Sequence, residues 1–210
     1  MQSVFIQVIG TVQGVGFRPF VYNLALKYDI KGWVNNDEKG VNILLSSSEE
    51  NIQNFINELK LNPPILARID SINIEKITEI KEYKTFEIIQ SESSKNKSTI
   101  ISPDIAICDD CLNNIDDRAN FRYSYSLTNC TNCGPRYSII KTVPYDRINT
   151  SMFSFELCEK CKNEYENPTN RRYHAQPIAC EKCGPNVVLY NNKNEVLSSD
   201  ITAIKEIAQE

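Results

Sequence analysis

Hydrophobic and polar positions alternate along the first ninety residues with two different periods. The run from Ser3 to Ile9 is rich in β-branched and aromatic residues, which predicts a strand. The glycine-bearing segment from Gly10 to Gly16 is predicted to be a loop. A helix is predicted after it, because apolar residues recur at i, i+3, i+4 and i+7, at Val21, Leu24, Ala25 and Tyr28.

A hairpin and a second helix follow. Two short strands, Lys31 to Asn35 and Val41 to Leu45, are separated by a polar turn that ends in glycine. Ser47 and Glu50 have the spacing of a capping box, which predicts that a helix begins there, and the Pro63-Pro64 pair ends it. The body of this helix is predicted from apolar residues at helical spacing, at Ile52, Phe55, Ile56 and Leu59.

The last strand signals of this region lie at Ile72 and Ile74 and at Phe86 and Ile88, which alternate with polar neighbours. They add one or two strands, so the predicted order is β-α-β-β-α-β. This is the order of the ferredoxin-like arrangement, an α+β fold in which two helices cover one face of a mainly antiparallel sheet. The polar residues 91–99 have no apolar period and predict a linker.

Beyond this segment the chain repeats itself. The pattern C-x2-C-x18-C-x2-C occurs twice, displaced by 50 residues, and the identities extend to Arg122 with Arg172 and to Tyr123 with Tyr173. Such a match predicts an internal duplication. All eight cysteines belong to the two patterns: Cys108, Cys111, Cys130 and Cys133 in the first, and Cys158, Cys161, Cys180 and Cys183 in the second.

The spacing of these cysteines is typical of structural zinc sites. Two residues between paired cysteines let both thiolates face one ion, and two such pairs complete a tetrahedron that leaves no position for a catalytic water. Gly134 and Gly184 follow the second pair of each repeat, where a tight turn is needed. We therefore expect two structural Zn²⁺ ions, with disulfides or redox-active pairs as the alternative. Each repeat is expected to bind its own ion, although an interleaved pairing of cysteines from both repeats stays open.

Composition and charge disfavour several classes of protein. The chain has 23 Lys and Arg residues against 27 Asp and Glu residues, a net charge of −4. Residues 101–190 contain 10 basic and 11 acidic residues, so the cysteine region lacks the basic surface of a nucleic-acid-binding protein. No run approaches the ~20 apolar residues that cross a bilayer, and the first residues do not resemble a secretory signal. We therefore expect a cytoplasmic protein without membrane contact, in which cysteine clusters favour metal over disulfides.

The segment between the first strand and the first helix has the composition of an anion-binding loop. Its glycines, Gly10, Gly14 and Gly16, allow successive backbone N–H groups to turn toward one point, and the positive end of the helix dipole adds to the attraction. Arg18 follows at the mouth of this loop, where a guanidinium can bind two phosphate oxygens. The segment has neither the Gly-Lys-Ser/Thr of a Walker loop nor the third glycine of a dinucleotide fingerprint. A plain glycine-rich turn is the alternative on spacing alone.

His174 is the only histidine of the chain and lies in the run from Arg171 to Pro177. Because eight cysteines suffice for two zinc ions, this histidine is not needed as a metal ligand. We expect a surface or hydrogen-bonded side chain. The alternative is a contact with a neighbouring domain or with an anionic substrate, assisted by Arg171 and Arg172.

Two motifs give residues 1–91 a family resemblance. The run from Val12 to Arg18, V-Q-G-V-G-F-R, and the run from Gly32 to Asn36, G-W-V-N-N, resemble the two signature motifs of acylphosphatases. The resemblance implies the same βαββαβ fold, a catalytic Arg18 and an Asn36 that orients the attacking water. The implied phosphate-binding set comprises Gln13, Gly14, Val15, Gly16, Phe17 and Arg18.

A longer match implies a more specific family. The run from Gly16 to Phe20, the two four-cysteine fingers and the run from Arg171 to Cys180 resemble the N-terminal part of the HypF family, the carbamoyltransferases of nickel–iron hydrogenase maturation. The departures are Tyr173, where the family usually has Phe, and Glu181, where it often has Pro. The resemblance implies hydrolysis of carbamoyl phosphate to carbamate and phosphate. In the whole enzyme, ATP-dependent activation and transfer to a HypE-like partner protein follow.

The sequence therefore predicts four parts. Residues 1–91 form an acylphosphatase-like domain, residues 92–103 a linker, residues 104–186 a zinc-stabilised tandem C4 finger domain, and residues 187–210 the start of a truncated YrdC-like domain. The competing hypothesis is a non-catalytic protein-interaction module, in which a silent ferredoxin-like domain accompanies the fingers. Nucleic-acid binding through the fingers is a third hypothesis, which the charge disfavours.

Overall fold

The computed structural model describes residues 2–77, 83–91 and 101–209. Its N-terminal part contains five strands and two helices, and each predicted element is present. The first three strands extend up to two residues beyond their predicted ends. The elements are β1 (Gln2–Thr11), α1 (Phe17–Lys27), β2 (Lys31–Asn36), β3 (Gly40–Ser47), α2 (Glu49–Leu61), β4 (Arg68–Ile77) and β5 (Phe86–Ile88).

The strands form one sheet in the order β4-β1-β3-β2-β5. Strand β1 pairs antiparallel with both β3 and β4, and β2 pairs antiparallel with β3. Strand β5 adds to the outer edge of β2 in the parallel direction. This topology confirms the predicted ferredoxin-like α+β fold and extends it by one edge strand.

Side-chain alternation on the strands gives the sheet its buried face. On β1, Val4, Ile6 and Val8 are buried, whereas Phe5 and Gln7 between them are half-buried. Helices α1 and α2 join the same core because each has an apolar stripe at helical spacing. The stripe of α1 comprises Phe17, Val21, Leu24 and Ala25, and that of α2 comprises Ile52, Phe55, Ile56 and Leu59.

The start of α2 differs from the predicted capping box by one residue. Ser48, not Ser47, is the N-cap, and its Oγ accepts a hydrogen bond from the backbone N–H of Asn51 at 3.2 Å. Ser47 is still part of β3, where it pairs with Gln2 of β1. Because a residue held in the sheet cannot also begin the helix, the cap falls on the next serine.

The C-terminal part contains two similar units, one for each cysteine repeat. A short helix follows the first cysteine of each repeat, α3 (Asp109–Asp116) and α4 (Glu159–Glu166). Two short 3-10 helices, Arg147–Asn149 and Ser151–Ser154, lie in the segment between the repeats. We call residues 101–187 the finger module. Most of the predicted linker lies outside the described residues, but Ile101 forms a parallel bridge with Gln13.

After the finger module, the chain forms a hairpin and a helix. The elements are β6 (Val188–Tyr190), β7 (Val196–Ser199) and α5 (Asp200–Ile207). These elements lie in the segment 187–210, which was predicted only as the start of a further domain. Among the helices of the described ranges, none has the length and apolar character needed to cross a membrane.

Candidate functional site

Each cysteine repeat closes on itself. The four Sγ atoms of a repeat lie within 4.8 Å of one another, so the structure supports one cluster per repeat, and the interleaved alternative is wrong. Both clusters are largely buried. The first cluster comprises Cys108, Cys111, Cys130 and Cys133, and the second comprises Cys158, Cys161, Cys180 and Cys183.

The distances between the sulfurs fit a tetrahedral metal site. Neighbouring Sγ atoms are 3.7 and 3.8 Å apart in the first cluster, and 3.6 and 3.7 Å apart in the second. A tetrahedron with zinc–sulfur bonds of ~2.3 Å has edges of about 3.8 Å, whereas a disulfide brings its sulfurs to ~2.05 Å. All eight cysteines are free thiols. The two clusters are therefore compatible with two structural zinc ions and not with disulfides.

Arginines lie against both clusters and offset their negative charge. Four thiolates around one Zn²⁺ leave a net negative charge, which is costly to bury without a partner. Arg171 donates a hydrogen bond to the Sγ of Cys111 at 3.0 Å, and Arg172 approaches the same sulfur at 3.8 Å. Arg122 donates to the Sγ of Cys161 at 3.2 Å. Contacts of this kind orient metal ligands and raise metal affinity.

Residues 12–16 form the loop between β1 and α1, which we call the glycine loop. Gly14 and Gly16 have φ angles of 75° and 74°, in the left-handed region that favours glycine. Gly16 is the N-cap of α1, and no side chain caps that helix. Within the described ranges, the backbone N–H groups of residues 15–18 have no acceptor. The loop therefore offers a row of unpaired amides at a helix N-terminus, an arrangement that binds anions.

Arg18 and Asn36 meet at one carbonyl oxygen. The Nη2 of Arg18 donates to the backbone oxygen of Tyr145 at 3.3 Å, and the Nδ2 of Asn36 donates to the same oxygen at 3.5 Å. Both side chains are buried. The Oδ1 of Asn36 is buried too and has no hydrogen-bond partner among the described residues. An acceptor in this state is costly unless a ligand or water satisfies it.

The other side chains of the predicted phosphate-binding set hold the glycine loop in place rather than facing a ligand. Val15 and Phe17 are each 1% exposed and belong to the hydrophobic core, so only their amides can meet a ligand. The side chain of Gln13 donates to two carbonyls of the β2–β3 turn, at 2.7 and 2.8 Å, and accepts from the N–H of Tyr145 at 2.9 Å. Gln13 therefore ties the glycine loop to the finger module.

Sequence reasoning missed Arg136, whose buried guanidinium lies behind the glycine loop. Its Nε donates to the carbonyl of Gly14. Because a trans peptide places C=O and N–H on opposite sides, this bond turns the next N–H, that of Val15, to the other side of the loop. The sequence contained one signal. The second repeat has Asn186 at the position equivalent to Arg136, so this arginine is not required by the repeated finger itself. The Nη atoms of Arg136 donate to the carbonyls of Cys130, Thr131, Cys133 and Pro135.

Asp146 of the finger module faces Arg18 directly. Its Oδ1 accepts a charged hydrogen bond from the Nη1 of Arg18 at 2.6 Å. Neither Asp146 nor Tyr145 belongs to a motif, because both lie between the two cysteine repeats. No sequence signal identified them, and only the docking of the two parts brings them to Arg18.

His174 also lies between the two parts of the chain. It is half-buried against the rings of Tyr165 and Tyr173, and its ring nitrogens have no hydrogen-bond partner among the described residues. Burial lowers the pKa of His174 to about 4, and the nearby charge of Arg18 acts in the same direction. The imidazole is therefore neutral at pH 7. The structure therefore does not match the expected surface or hydrogen-bonded histidine, and it agrees with the alternative of a position between the two parts.

Two cavities meet at Arg18. The inner cavity lies beneath the glycine loop and has a volume of about 20 Å³, room for about one water molecule. The outer cavity has a volume of about 250 Å³ and is lined by Asp146 and Ser91. Arg18, His174 and Gln176 line both cavities. The inner cavity is also lined by Gly14, Gly16 and Asn36, so the glycine loop and the two predicted catalytic side chains border one space.

Known proteins match both parts of the chain. Residues 4–88 match the Acylphosphatase family, and residues 107–140 and 157–190 match the HypF finger. Over 148 residues, 70% of the chain, the sequence is 50% identical to the probable carbamoyltransferase HypF of Methanocaldococcus jannaschii, and this match covers 19% of that protein. Over 88 residues, 41% of the chain, it is 41% identical to an acylphosphatase of Listeria monocytogenes, and this match covers 95% of that protein.

A solved structure agrees with nearly the whole chain. The crystal structure of a full-length HypF has a TM-score of 0.87 and 45% sequence identity, over 99% of this chain and 27% of that one. The matched segments span about a fifth of the length of the curated HypF relatives. The chain belongs to the HypF family, and its residues 4–88 form an acylphosphatase domain.

Proposed function

We propose that this chain hydrolyses an acyl phosphate at the glycine loop, and that the substrate is carbamoyl phosphate. The observation that supports the proposal most directly is the meeting of Arg18 and Asn36 at the Tyr145 carbonyl, beside the unpaired amides of residues 15–18. The related HypF crystal structure is described as a phosphate- and nucleotide-bound form. The names of the relatives support the carbamoyl group as the acyl part.

In this mechanism the glycine loop binds the phosphoryl group. Its amides and the dipole of α1 favour a dianion, and Arg18 adds a charge that can bond two phosphoryl oxygens. The Nη atoms of Arg18 contact Asp146, Tyr145 and Ser91, while its Nε–H has no acceptor within the described ranges. Donors that are already in place when charge spreads over the equatorial oxygens stabilise the transition state.

Asn36 is proposed to orient the attacking water. Its Nδ2 is held by the Tyr145 carbonyl, which leaves the unpaired Oδ1 to accept a bond from that water. The water oxygen forms the new bond to phosphorus while the bond to the carbamoyl oxygen breaks. In a loose transition state the water needs little deprotonation. One of its protons stays on the oxygen now bonded to phosphorus, and the other passes to a phosphate oxygen or to solvent. A separate side-chain base is therefore not required.

Zinc would have a structural role only. Four thiolates in each cluster would hold the ion and leave no position for substrate. The ions would instead order the finger module, which places Tyr145, Asp146 and His174 at the site. The location in the cytoplasm stays a prediction, supported by thiol clusters that persist in a reducing compartment.

The later steps implied by the HypF resemblance are proposed to require more than these 210 residues. They are the ATP-dependent activation of carbamate and its transfer to a HypE-like partner protein. The chain matches only about a fifth of each HypF relative, so we assign to it the hydrolytic step alone.

Phosphate release tests the proposal. The zinc-loaded chain is incubated with carbamoyl phosphate, with acetyl phosphate and with p-nitrophenyl phosphate, and spontaneous hydrolysis is subtracted. We expect turnover of the acyl phosphates and none of the aryl monoester, whose poorer leaving group demands more of the catalyst. A folded, zinc-loaded chain that releases no phosphate from either acyl phosphate would contradict the proposal and leave the interaction-module hypothesis.

A further inference from the structure

We propose that Asp146 makes the site selective for carbamoyl phosphate over acetyl phosphate, by accepting a hydrogen bond from the amino group of the carbamoyl moiety. This inference rests on the proposed function and assigns a specificity role to a residue outside the acylphosphatase domain. It depends on three properties of Asp146: its fixed position, its place in the outer cavity and its absence from the region matched by acylphosphatases.

The backbone on both sides of Asp146 is anchored. Before it, the N–H of Tyr145 donates to Gln13 at 2.9 Å, and the Tyr145 side chain is only 2% exposed. After it, the guanidinium of Arg147 donates to the carbonyls of Gln176, Ile178 and Phe155 at 2.7, 3.0 and 2.8 Å. Because both neighbouring residues are anchored, the carboxylate of Asp146 is held in a fixed position. Selectivity for a small group requires such a fixed position.

The carboxylate lines a cavity that shares Arg18 with the cavity of the glycine loop. The glycine loop lines the inner cavity, and Arg18 lines both this cavity and the outer cavity of about 250 Å³. With the phosphoryl group on the loop amides and Arg18, we place the acyl part in the outer cavity. Asp146 lines that cavity, and its side chain is 20% exposed.

Carbamoyl and acetyl groups differ at the atom that this carboxylate would meet. They have nearly the same shape, but the carbamoyl group has an NH₂ with two donors where the acetyl group has a methyl. The Asp146 carboxylate, which lines the outer cavity, is an acceptor. An NH₂ donates to it, whereas a methyl group leaves a partly buried carboxylate against an apolar atom. Sites built to hydrogen-bond a substrate N–H reject analogues that lack it.

Acylphosphatases have no counterpart of this residue in the matched region. The match to the Listeria monocytogenes protein covers 95% of that protein with 88 residues of this chain, and the Acylphosphatase family match ends at residue 88. Asp146 lies 58 positions further along. The finger module therefore adds an acceptor to a site that acylphosphatases build without it.

The test compares Asp146→Asn and Asp146→Ala with the unchanged chain. For each protein, kcat/KM is measured with carbamoyl phosphate and with acetyl phosphate. The ratio of the two values is expected to fall by about tenfold or more in Asp146→Ala, with a smaller fall in Asp146→Asn, which keeps one acceptor oxygen. Glu156→Gln, which changes an exposed carboxylate of the same module, is the matched control and should keep the ratio.

A binding measurement separates selectivity from turnover. Phosphonoacetamide and acetonylphosphonate are non-hydrolysable and differ only by NH₂ against CH₃. Calorimetry should show tighter binding of the amide by the unchanged chain and loss of this preference in Asp146→Ala. Zinc content and far-UV circular dichroism establish that each variant is folded.

The outcomes distinguish this inference from the proposed function. The inference is supported if the substitution lowers kcat/KM selectively for carbamoyl phosphate and also removes the binding preference for the amide probe. If kcat/KM falls equally for both substrates, Asp146 only positions Arg18; if it rises equally for both, Asp146 only competes for Arg18. Either result overturns the inference and leaves the proposed hydrolase activity unaffected. Absence of turnover with retained preference for the amide probe contradicts the hydrolase and supports the selectivity.

Discussion

Arg122 and Arg172 occupy equivalent positions in the two cysteine repeats, and each one reaches into the other repeat. The Nε of Arg122 donates to the carbonyl of Ala179 at 2.8 Å, and the Nε of Arg172 donates to the carbonyl of Asn129, the equivalent position, at 2.9 Å. Both guanidinium groups approach a cysteine sulfur of the opposite cluster and form an ion pair with Glu164. The duplication therefore folds as one reciprocal unit rather than as two independent fingers.

These contacts between the repeats predict that substituting the arginine of one repeat weakens zinc binding in the other. Replacing Arg122 by methionine keeps much of the volume but removes the bond to Cys161 at 3.2 Å, so the second cluster should lose zinc first. Loss of such a contact typically costs about 10- to 100-fold in metal affinity. Zinc competition with a chelator, followed by alkylation of released thiols and peptide mass spectrometry, identifies the cluster that opens.

The reciprocal variant and a surface control complete this test. Arg172→Met should release zinc preferentially from the first cluster, because Arg172 contacts Cys111. Lys162→Met, at an exposed ion pair with Glu166, should change neither cluster. Equal alkylation of both clusters in both arginine variants would show that the arginines stabilise the module without preference for the opposite repeat.

Removal of zinc should unfold the finger module and leave the sheet domain folded. The module has small apolar clusters built largely around its cysteines, whereas the β1–β5 domain has a separate, extensive core. Elemental analysis should give about two zinc ions per chain. After chelation, amide NMR signals of residues 2–77 should stay dispersed while those of residues 104–186 collapse. Dispersed signals from both regions would show that the metal is not structural.

The features that the sequence predicted correctly are those that depend on residues close together in the chain. Alternation along β1 and the stripe of α1 identified the fold, since burying one face requires that periodicity. Equal cysteine spacing identified both clusters. A short motif pair indicated Arg18 and Asn36, whose side chains the structure brings to one carbonyl oxygen. Ser47 has the better capping-box spacing in sequence, because Glu50 lies three residues after it, but the extent of β3 moves the cap to Ser48.

The rest of the site depends on how the two parts dock. Tyr145, Asp146 and Arg136 contact Asn36, Arg18 and Gly14 across 109 or more positions of the sequence, through contacts with no local periodicity. Gly14 and Gly16 allow this approach, because a Cβ at these positions would lie 3.0 Å from Arg136 and 3.2 Å from Thr131. A single sequence contains the glycines but not the identity of their neighbours.

Arg18→Ala should lower kcat/KM for acyl phosphates by about 10³-fold or more, because it removes the charge that stabilises the equatorial oxygens. The change also leaves Asp146 without its ion pair, so loss of rate alone could reflect loosened docking. The double variant Arg18→Ala with Asp146→Asn removes both charges and should be equally slow while keeping its zinc and its circular dichroism. Recovery of activity in the double variant would contradict the role of Arg18 in binding phosphate.

Asn36→Ala should separate binding from rate. Asn36 is proposed to contact the attacking water rather than the phosphoryl group, so KM should change little while kcat falls by about 10²-fold. Asn35→Ala is the matched control, because Asn35 is the neighbouring buried amide and instead donates to the carbonyl of Gln90 at 3.4 Å. If both variants lose rate equally, the loss reflects disturbance of β2 and not the orientation of water.

His174 should remain neutral across the physiological range. Burial lowers its pKa to about 4, against 6.5 for an exposed histidine, so its protonated fraction stays small down to pH 5.5, where an exposed imidazole is mostly protonated. Because the chain has one histidine, its imidazole NMR signal needs no assignment by mutation. The signal should be nearly constant from pH 8 to 5.5 in the folded protein and should titrate near pH 6.5 in denaturant.

Inorganic phosphate bound at the glycine loop should raise the pKa of His174 in the folded protein, because its negative charge opposes that of Arg18. A folded-state midpoint near 6.5 would show instead that the imidazole faces solvent and takes no part in the contact between the two parts.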